Sequence, residues 1–419
     1  MIKVSMIRFL LLGLLLLRPV AGLAVPPEAS SGKRVRALLG ARENKQSAPQ
    51  SHSIRFELYR NLIFLRVRIN GSRPLSLVLD TGASISGLNK SVAEEIGLGL
   101  TGGRTNILGA SEQPEAAEIA AQVKVQVAGI QLVAKEFIVV PMAEMESHVG
   151  HRIDGVLGAD LFKAYVVEID YPSQHLTLRE PEHYQYFGRG EVLPLSLSDV
   201  PFVDATVGIG TAVTPGQFVI DTGWLGPLVF SASFVRQNRL LGMADLLPRI
   251  AFGVGGESRQ MIGRIQTLQI GQATLEHPVA EFSLANSGPL SDGVRAGIIG
   301  NEILERFHLI LDYRRSQAIF EPNAAFGQSF ETDMSGLLLA SEGKSLKEIR
   351  IERVFDDSPA ARIDLRAGDL ILSIDNKTVE QLPLARIMEM FRVDGRTYRL
   401  RIQRDQQVLQ TSITTMRMI

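Results

Sequence analysis

From residue 53 onward, apolar and polar residues alternate over short runs that glycine, asparagine and proline separate. Alternation with a period of two predicts β-strands that bury one face. Brief segments with helical spacing lie between some of these runs, and we expect short helices in SVAEEIG, SASFVRQNRLL, ADLFKAY and NEILERF. The pattern predicts a mostly β protein with few helices.

The chain repeats part of this pattern. LSLVLDTGASISG places Asp80 at the end of an apolar run, and GQFVIDTGWLG does the same with Asp221. Further along, DGVLGADLFKAYVVEIDY corresponds to AGIIGNEILERFHLILDY, so that Gly158 matches Gly300. A long internal repeat indicates a duplicated lobe, and two similar lobes related by a pseudo-two-fold axis bring equivalent residues together. We therefore expect Asp80 and Asp221 to face each other.

Two facing carboxyl groups permit a specific chemistry. Because neighbouring carboxylates repel, the pair shares one proton and titrates as a coupled unit with one acid and one base. Such a pair can deprotonate a water molecule that attacks a peptide carbonyl and can donate to the developing oxyanion. Gly82 and Gly223 allow tight turns, and the hydroxyls of Thr81 and Thr222 can link the two loops. This chemistry requires no metal and no cofactor, and we predict neither.

These motifs resemble those of the pepsin and retropepsin aspartic proteases, which have two Asp-Thr-Gly loops and an apolar-apolar-Gly element in each lobe. The matching elements here are Val156-Leu157-Gly158 and Ile298-Ile299-Gly300. The resemblance implies a bilobal, mostly β, pepsin/retropepsin-like acid-protease fold with a cleft, in which Asp80 and Asp221 are the catalytic dyad. On this resemblance the first lobe spans residues 53–183 and the second spans residues 184–327.

Two positions depart from the pepsin pattern. Pepsins carry Ser or Thr directly after each Asp-Thr-Gly, whereas this chain has Ala83 and Trp224. Because no side-chain hydroxyl stabilises the carboxylates and an indole excludes water, we expect a raised pKa of the dyad and activity at less acidic pH. Packing of Trp224 into the core of the second lobe is the alternative interpretation.

Two glycine-rich segments are candidates for flaps over the cleft. One is Gly109-Ala110-Ser111. The other is FGVGGES, which contains Gly253, Gly255 and Gly256 and is similar to the Gly-rich flaps of retropepsins. Ordinary hairpin turns are the alternative for both segments, because glycine marks hairpins generally.

The C-terminal segment has a different pattern. SPAARIDLRAGDLILSIDNKTV closely resembles the middle of bacterial PDZ domains, which predicts a small α+β PDZ domain over residues 328–419. PDZ domains bind extended chain ends by strand addition, and backbone amides capture the terminal carboxylate. The resemblance places the binding loop at Gly336, Leu337, Leu338 and Leu339. A PDZ fold that acts only as a spacer or dimer contact is the alternative.

The N-terminus indicates a compartment. Positive charges precede an apolar run over residues 9–17 and small residues follow it, which is the layout of a secretory signal peptide over residues 1–24. The run is too short to span a bilayer, although a short uncleaved anchor, the only membrane contact we expect, fits the same pattern. Residues 25–52 lack periodicity and are predicted to form a flexible linker or pro-segment. We expect an exported protein, either periplasmic or secreted.

Charge and composition narrow the class of function. The net charge of −1 argues against nucleic-acid binding, and the lack of cysteine excludes thiol nucleophiles and disulfides. His148, His151 and Asp154 have a spacing compatible with metal binding, but the second repeat has no counterpart. We predict an exported aspartic endopeptidase whose PDZ domain recruits or positions polypeptide substrates. A catalytically silent peptide-binding protein and a structural envelope protein are the alternatives.

Overall fold

The computed structural model describes residues 51–109, 111–242, 245–291 and 293–419. The predicted signal peptide, the linker up to residue 50 and Ala110 of the first flap candidate lie outside the described residues. Strands account for 48% of the residues and helices for 14%, which confirms the predicted mostly β fold. None of the helices in the described ranges is long and apolar enough to cross a membrane.

The first part of the described chain consists of short strands with a few short helices between them. The strands are β1 (Ser51–Arg55), β2 (Glu57–Tyr59), β3 (Leu62–Ile69), β4 (Leu75–Leu79), β5 (Gly87–Asn89), β6 (Arg104–Ile107), β7 (Glu115–Val127), β8 (Ile130–Val140), β9 (Gly155–Leu157), β10 (Val166–Asp170) and β11 (His175–Arg179). The helices are α1 (Lys90–Glu95), α2 (Ala143–Val149) and α3 (Ala159–Ala164), and a 3₁₀ turn follows at Pro181–His183. Helices α1 and α3 lie in two of the segments with helical spacing.

The second part has the same character. Its strands are β12 (Glu191–Pro194), β13 (Ser196–Leu197), β14 (Pro201–Ile209), β15 (Ala212–Asp221), β16 (Leu228–Phe230), β17 (Leu247–Gly253), β18 (Gly256–Arg264), β19 (Thr267–Ile270), β20 (Ala273–Glu276), β21 (Val279–Ser283), β22 (Gly297–Gly300), β23 (Phe307–Asp312) and β24 (Gln317–Pro322). Its helices are α4 (Ala232–Gln237) and α5 (Asn301–Leu304), and 3₁₀ turns occur at Leu240–Gly242 and Tyr313–Arg315. Helix α4 begins after Ser231, whose side chain accepts a hydrogen bond from Phe234 N and so caps the helix.

The third part is smaller. Its strands are β25 (Leu337–Glu342), β26 (Glu348–Val354), β27 (Leu370–Ile374), β28 (Lys377–Thr378), β29 (Thr397–Arg404) and β30 (Gln407–Thr414). Its helices are α6 (Pro359–Arg362) and α7 (Leu384–Met390), with a 3₁₀ turn at Val379–Gln381. Asp375 and Asn376 both have positive φ between β27 and β28, which is the backbone that a two-residue hairpin requires.

Two sheets show the same strand pairing. One has the order β2-β3-β4-β9-β5-β8-β7-β6, and the other has the order β17-β18-β21-β16-β22-β15-β14-β19-β20, with β13 on β14. In each sheet the strand that leads to the Asp-Thr-Gly loop pairs in parallel with the apolar-apolar-Gly strand, β4 with β9 and β15 with β22. The apolar-apolar-Gly strand also pairs antiparallel with a third strand, β9 with β5 and β22 with β16. The repeated pairing corresponds to the internal repeat in the sequence.

A third sheet joins the two halves. Its strand order is β1-β11-β10-β23-β24-β12, and its central pair places Val167 of β10 opposite Leu311 of β23. Strand β1 begins at Ser51, which pairs with Arg179. Strand β1 therefore begins inside the range predicted as linker or pro-segment, because Ser51 and His52 already pair with β11.

The two largest apolar cores lie in different parts of the described chain. One extends through both lobes and includes Leu65, Ile220 and Leu309, all fully buried. The other lies inside the C-terminal sheet, ordered β25-β26-β27-β29-β30 with β28 on β27, and includes Phe391 and Tyr398. A separate core is what an independent domain requires.

Candidate active site

Both candidate acids lie where an apolar strand leaves the core. Strand β4 is buried throughout, and Asp80 follows its last residue. Strand β15 ends at Asp221 after a run of buried residues. The neighbouring parallel strand fixes each position, because Asp80 N donates to Leu157 O at 3.0 Å and Asp221 stands opposite Gly300. Burial of the apolar runs thus positions both carboxyl groups.

Two buried threonines link the Asp loops across the lobes. Thr81 Oγ1 donates to Ile220 O at 2.6 Å, and Thr222 Oγ1 donates to Leu79 O at 2.8 Å. Each hydroxyl also accepts from the backbone of the other threonine, with Thr81 N 3.1 Å from Thr222 Oγ1 and Thr222 N 3.0 Å from Thr81 Oγ1. Reciprocal hydrogen bonds therefore hold two loops that are 141 residues apart in sequence.

The glycine of each loop lies against the carboxyl group of the other loop. A Cβ on Gly82 would stand 2.5 Å from Asp221 Oδ2, and a Cβ on Gly223 would stand 2.5 Å from Asp80 Oδ2. Because no side chain fits at that distance, only glycine allows the loops to approach this closely. The structure thus brings Asp80 and Asp221 together, while their catalytic role stays a prediction.

The two carboxyl groups have different surroundings. Burial raises the pKa of Asp80 well above its usual range, and the charge and hydrogen bond of Asp221 raise it further. Burial also raises the pKa of Asp221, while hydrogen bonds from Gly223 N, 2.8 Å from Oδ1, from Asp80 and from the N–H groups of Trp224 and Gly82 favour its charged form. Burial thus raises the pKa of both carboxyl groups, and two such neighbouring groups titrate as a coupled pair that can share one proton.

The residues after the two loops act through their backbone. The N–H groups of Ala83 and Trp224 favour the charged forms of Asp80 and Asp221 respectively and so lower their pKa values. The absence of a hydroxyl at these positions therefore does not leave the carboxylates without a donor. The indole of Trp224 is 9% exposed and packs in a small apolar cluster with Leu290. It also lines the cavity beside Asp221, so it takes part in both core packing and the site.

The two flap candidates contact each other. Gly109 lies so close to the second segment that a Cβ on it would stand 2.7 Å from Val254 Cβ, and Ser111 Oγ donates to Val254 O at 3.1 Å. Gly253 and Gly256 are paired at the turn between β17 and β18, and Gly255 between them has a φ of +90°. The second segment is thus a hairpin, and its tip meets the first segment at the cavity.

One cavity of about 1010 Å³ contains all these groups. The dyad, both flap segments and Trp224 line it from the two lobes. From the C-terminal domain, Met388 of α7 and the loop predicted to bind chain ends line it. That loop consists of Gly336, Leu337, Leu338 and Leu339. Pockets for small ligands occupy about 300 to 1,000 Å³, so this cavity has room for a polypeptide segment.

The three residues with metal-ligand spacing form hydrogen bonds with different partners instead of facing one another. His148 Nε2 lies 2.7 Å from Glu352 Oε2, and His151 Nε2 lies 3.1 Å from Glu57 Oε1. Asp154 accepts from backbone and arginine donors instead. Within the described part of the chain, no cluster of three or more His, Asp or Glu side chains could hold a metal ion.

Asn301 belongs to the site, although no sequence motif marks it as a candidate. Its side chain is fully buried, donates through Nδ2 to Thr222 O at 3.0 Å and to Asn61 O, and accepts from Tyr171 OH at 2.6 Å. It therefore ties the backbone of the second Asp loop to two segments of the first lobe. The repeat contained a signal, because Asn301 stands where the first lobe has Ala159.

Comparison with known families agrees with this organisation. A family model described as aspartyl protease matches residues 65–161, and a PDZ domain model matches residues 324–415. The first match includes Asp80 and ends before the lobe that contains Asp221. No curated protein matches the chain. The chain therefore carries an aspartyl protease domain and, C-terminal to it, a PDZ domain.

Proposed function

We propose that this protein is an exported aspartic endopeptidase that hydrolyses peptide bonds with a water molecule activated by Asp80 and Asp221. One observation carries the proposal: reciprocal hydrogen bonds between the two Asp loops hold two buried carboxyl groups together at a cavity of about 1010 Å³. The aspartyl protease domain supports peptidase activity. No nucleophilic side chain or metal is needed for this reaction.

In the proposed reaction, Asp221 accepts a proton from water while the water oxygen bonds to the substrate carbonyl carbon. Asp80 donates its proton to the carbonyl oxygen, which gives a neutral tetrahedral diol. Asp221 then returns its proton to the amide nitrogen, the C–N bond breaks, and Asp80 regains a proton from the diol as the new carboxyl group forms. Both carboxyl groups return to their starting states, so that the dyad turns over without a cofactor.

The surrounding groups support these roles. Gly223 N holds one oxygen of Asp221 at 2.8 Å and stabilises it as the base. The threonine bonds fix the two loops before substrate binds, which reduces the reorganisation needed to reach the transition state. The contact between the Ser111 hydroxyl and Val254 O joins the two flap segments beside the cavity, where they can exclude water.

The PDZ domain is proposed to position polypeptide substrates, since its loop and α7 line the cavity that contains the dyad. Export is proposed from residues 1–24 alone.

The direct test is cleavage of an unfolded polypeptide by the purified protein across about pH 3 to 8, beside Asp80→Asn and Asp221→Asn. We expect each substitution to lower kcat/KM by at least about a hundredfold, because the dyad needs both its acid and its base. Thermal unfolding serves as the control, since asparagine has the shape of aspartate. If either variant retains the wild-type rate, the shared-dyad mechanism is wrong. A wild-type protein that binds the polypeptide but cleaves none of it would instead be the silent peptide-binding protein.

A further inference from the structure

The PDZ domain has a groove between β25 and α7, and the two ends of this groove have different neighbours. Strand β25 is at the edge of its sheet, so one side of its backbone is free of sheet pairing, and α7 packs beside it. In PDZ domains an extended peptide pairs with this strand, and amides at the start of the strand hold a terminal carboxylate. The contacts at each end of the groove therefore decide what can bind.

At the start of β25, the chain already supplies a carboxylate. Asp333 Oδ1 accepts from Ser335 N at 2.9 Å and from Gly336 N at 3.1 Å, and Leu337 N donates to Ser335 Oγ at 3.1 Å. Each N–H donates one hydrogen bond, so the terminal carboxylate of a ligand would have to displace these partners. It would also add a second carboxyl group beside Asp333, whose pKa burial already raises, and two close carboxylates disfavour each other's charged form.

Three of the arginines that line the cavity are paired with other acids, among them Arg249, whose Nε lies 3.6 Å from Glu281 Oε1. Arg392 NH2 lies 3.5 Å from Glu302 Oε2, and Arg417 NH2 lies 2.8 Å from Glu331 Oε2. Asp356 and further acidic residues line the cavity at the same end. The loop thus presents little that would favour an incoming carboxylate.

At the other end of the groove, the first lobe covers the PDZ domain. Ser147 Oγ of α2 donates to Ser341 O of β25 at 2.7 Å. Gly150, at the end of α2, lies so close to α7 that a Cβ on it would stand 2.7 Å from Leu384 Cβ. A peptide lying along the full length of β25 would have to displace these contacts.

The middle of the groove opens into the cavity that contains the dyad. Leu337 and Leu339 belong to the core of the PDZ domain, whereas Leu338 between them is partly exposed and lines the cavity. Met388 of α7 is also partly exposed there. Both side chains are apolar, and they share one cavity with Asp80 and Asp221 of the two lobes.

We infer that the PDZ domain is a wall of the substrate cleft and binds an internal, apolar stretch of extended polypeptide through Leu338 and Met388, without capture of a C-terminal carboxylate. The inference rests on the proposed function for the cleavage step. It assigns the PDZ domain a role in binding residues close to the cleaved bond. The free C-terminus of the substrate then has no role in recognition.

The experiment uses the full chain and one fluorogenic peptide with apolar residues around the cleaved bond, prepared with either a C-terminal carboxylate or a C-terminal amide. We expect kcat/KM for the two forms to agree within about twofold. Leu338→Asp should raise KM for both forms by about tenfold or more, because it places a charge where an apolar side chain binds. Val408→Asp is the matched control, since Val408 is 51% exposed on β30 of the same domain and should leave KM unchanged.

Two results would overturn the inference. One is a preference of about tenfold or more for the carboxylate form, since terminal capture would then contribute to binding. The other is a Leu338→Asp variant whose KM equals that of Val408→Asp. If Leu338→Asp lowers the melting temperature, Met388→Gln replaces it, with the same expected rise in KM and the same refuting result.

A binding assay separates this inference from the proposed function. Asp80→Asn, which should bind without cleaving, is titrated against the labelled peptide in both forms and followed by fluorescence anisotropy. Equal affinity for the two forms, lost when Leu338→Asp is added, supports the cleft even if the wild-type protein cleaves nothing. If cleavage depends on Asp80 but does not change when Leu338 or Met388 is replaced, the proposed protease function holds and the inference about the PDZ domain is wrong.

Discussion

Replacement of Thr222 by alanine tests whether the bonds between the Asp loops hold the site together. Thr222 Oγ1 donates to Leu79 O at 2.8 Å and accepts from Thr81 N at 3.1 Å, and both threonines are at most 1% exposed. The alanine variant leaves a buried carbonyl and a buried N–H without these partners. Each unsatisfied group costs about 1 to 3 kcal/mol, so we expect the free energy of unfolding to fall by about 2 to 6 kcal/mol.

The matched control is Thr222→Ser, which keeps the hydroxyl and removes one methyl group. It should cost about 1 kcal/mol, the value for one buried methyl group or methylene. Urea denaturation gives the free energy of unfolding of each variant, and peptide cleavage gives kcat. Because the two loops also place the dyad, we expect kcat of Thr222→Ala to fall by at least about tenfold while Thr222→Ser stays near wild type.

Two outcomes would contradict this reasoning. If the alanine variant is no less stable than the serine variant, the hydroxyl contributes nothing that its geometry implies. If it loses stability but keeps its kcat, the threonine bonds stabilise the fold without positioning the carboxyl groups.

Three further predictions follow from the same contacts. Gly223→Ala would place a Cβ 2.5 Å from Asp80 Oδ2, so kcat should fall by about a hundredfold. A Cβ on Gly99 would have nothing within 4 Å, so Gly99→Ala should keep the wild-type kcat, and equal kcat values in the two variants would be inconsistent with the close approach of the loops. Burial raises the pKa of Asp80, so the wild-type protein should lose stability as pH rises from the ordinary carboxyl range through that raised value. Asp80→Asn, which cannot ionise there, should show a smaller drop in Tm over the same rise in pH, and an equal drop would count against a buried dyad. Trp224→Ser should move the acidic limb of the kcat/KM profile to lower pH, because water that reaches Asp221 would lower its pKa, while Trp224→Phe should leave the limb in place. An unchanged limb together with a loss of Tm would leave the indole with a packing role alone.

The closeness of Asp80 and Asp221 could be predicted because the sequence contains the Asp-Thr-Gly motif twice, each time within the same repeated pattern. Each acid ends an apolar run, and a duplicated unit folds twice in the same way, so equivalent loops meet at the axis between the lobes. The neighbouring glycines and threonines could be predicted in the same way, because each follows its acid in both repeats. Asn301 was missed because its importance lies in contacts with Asn61 and Tyr171, far away in sequence, which no local periodicity records.

The position of the PDZ domain could not be predicted from the sequence. Its fold follows from local patterns, but its placement depends on single contacts such as Ser147 with Ser341, which are 194 residues apart. The occupied carboxylate loop was equally hidden, since Asp333 is an ordinary turn residue until its oxygen is seen to accept from Ser335 and Gly336. The contact of Gly109 with Val254 likewise joins two turns that looked independent.

The sheet shared by the lobes has a consequence for the order of folding. Its central pair joins Val167 to Leu311, whereas hairpins such as β7 with β8 connect neighbouring residues. Local hairpins close quickly, while contacts between distant segments must first overcome the entropy of closing a long loop. During synthesis the N-terminal lobe can therefore form before the second lobe has emerged. A nascent chain holds a single Asp loop and no partner to share its proton, so under the proposed function it cannot cleave other chains until both lobes have folded and joined.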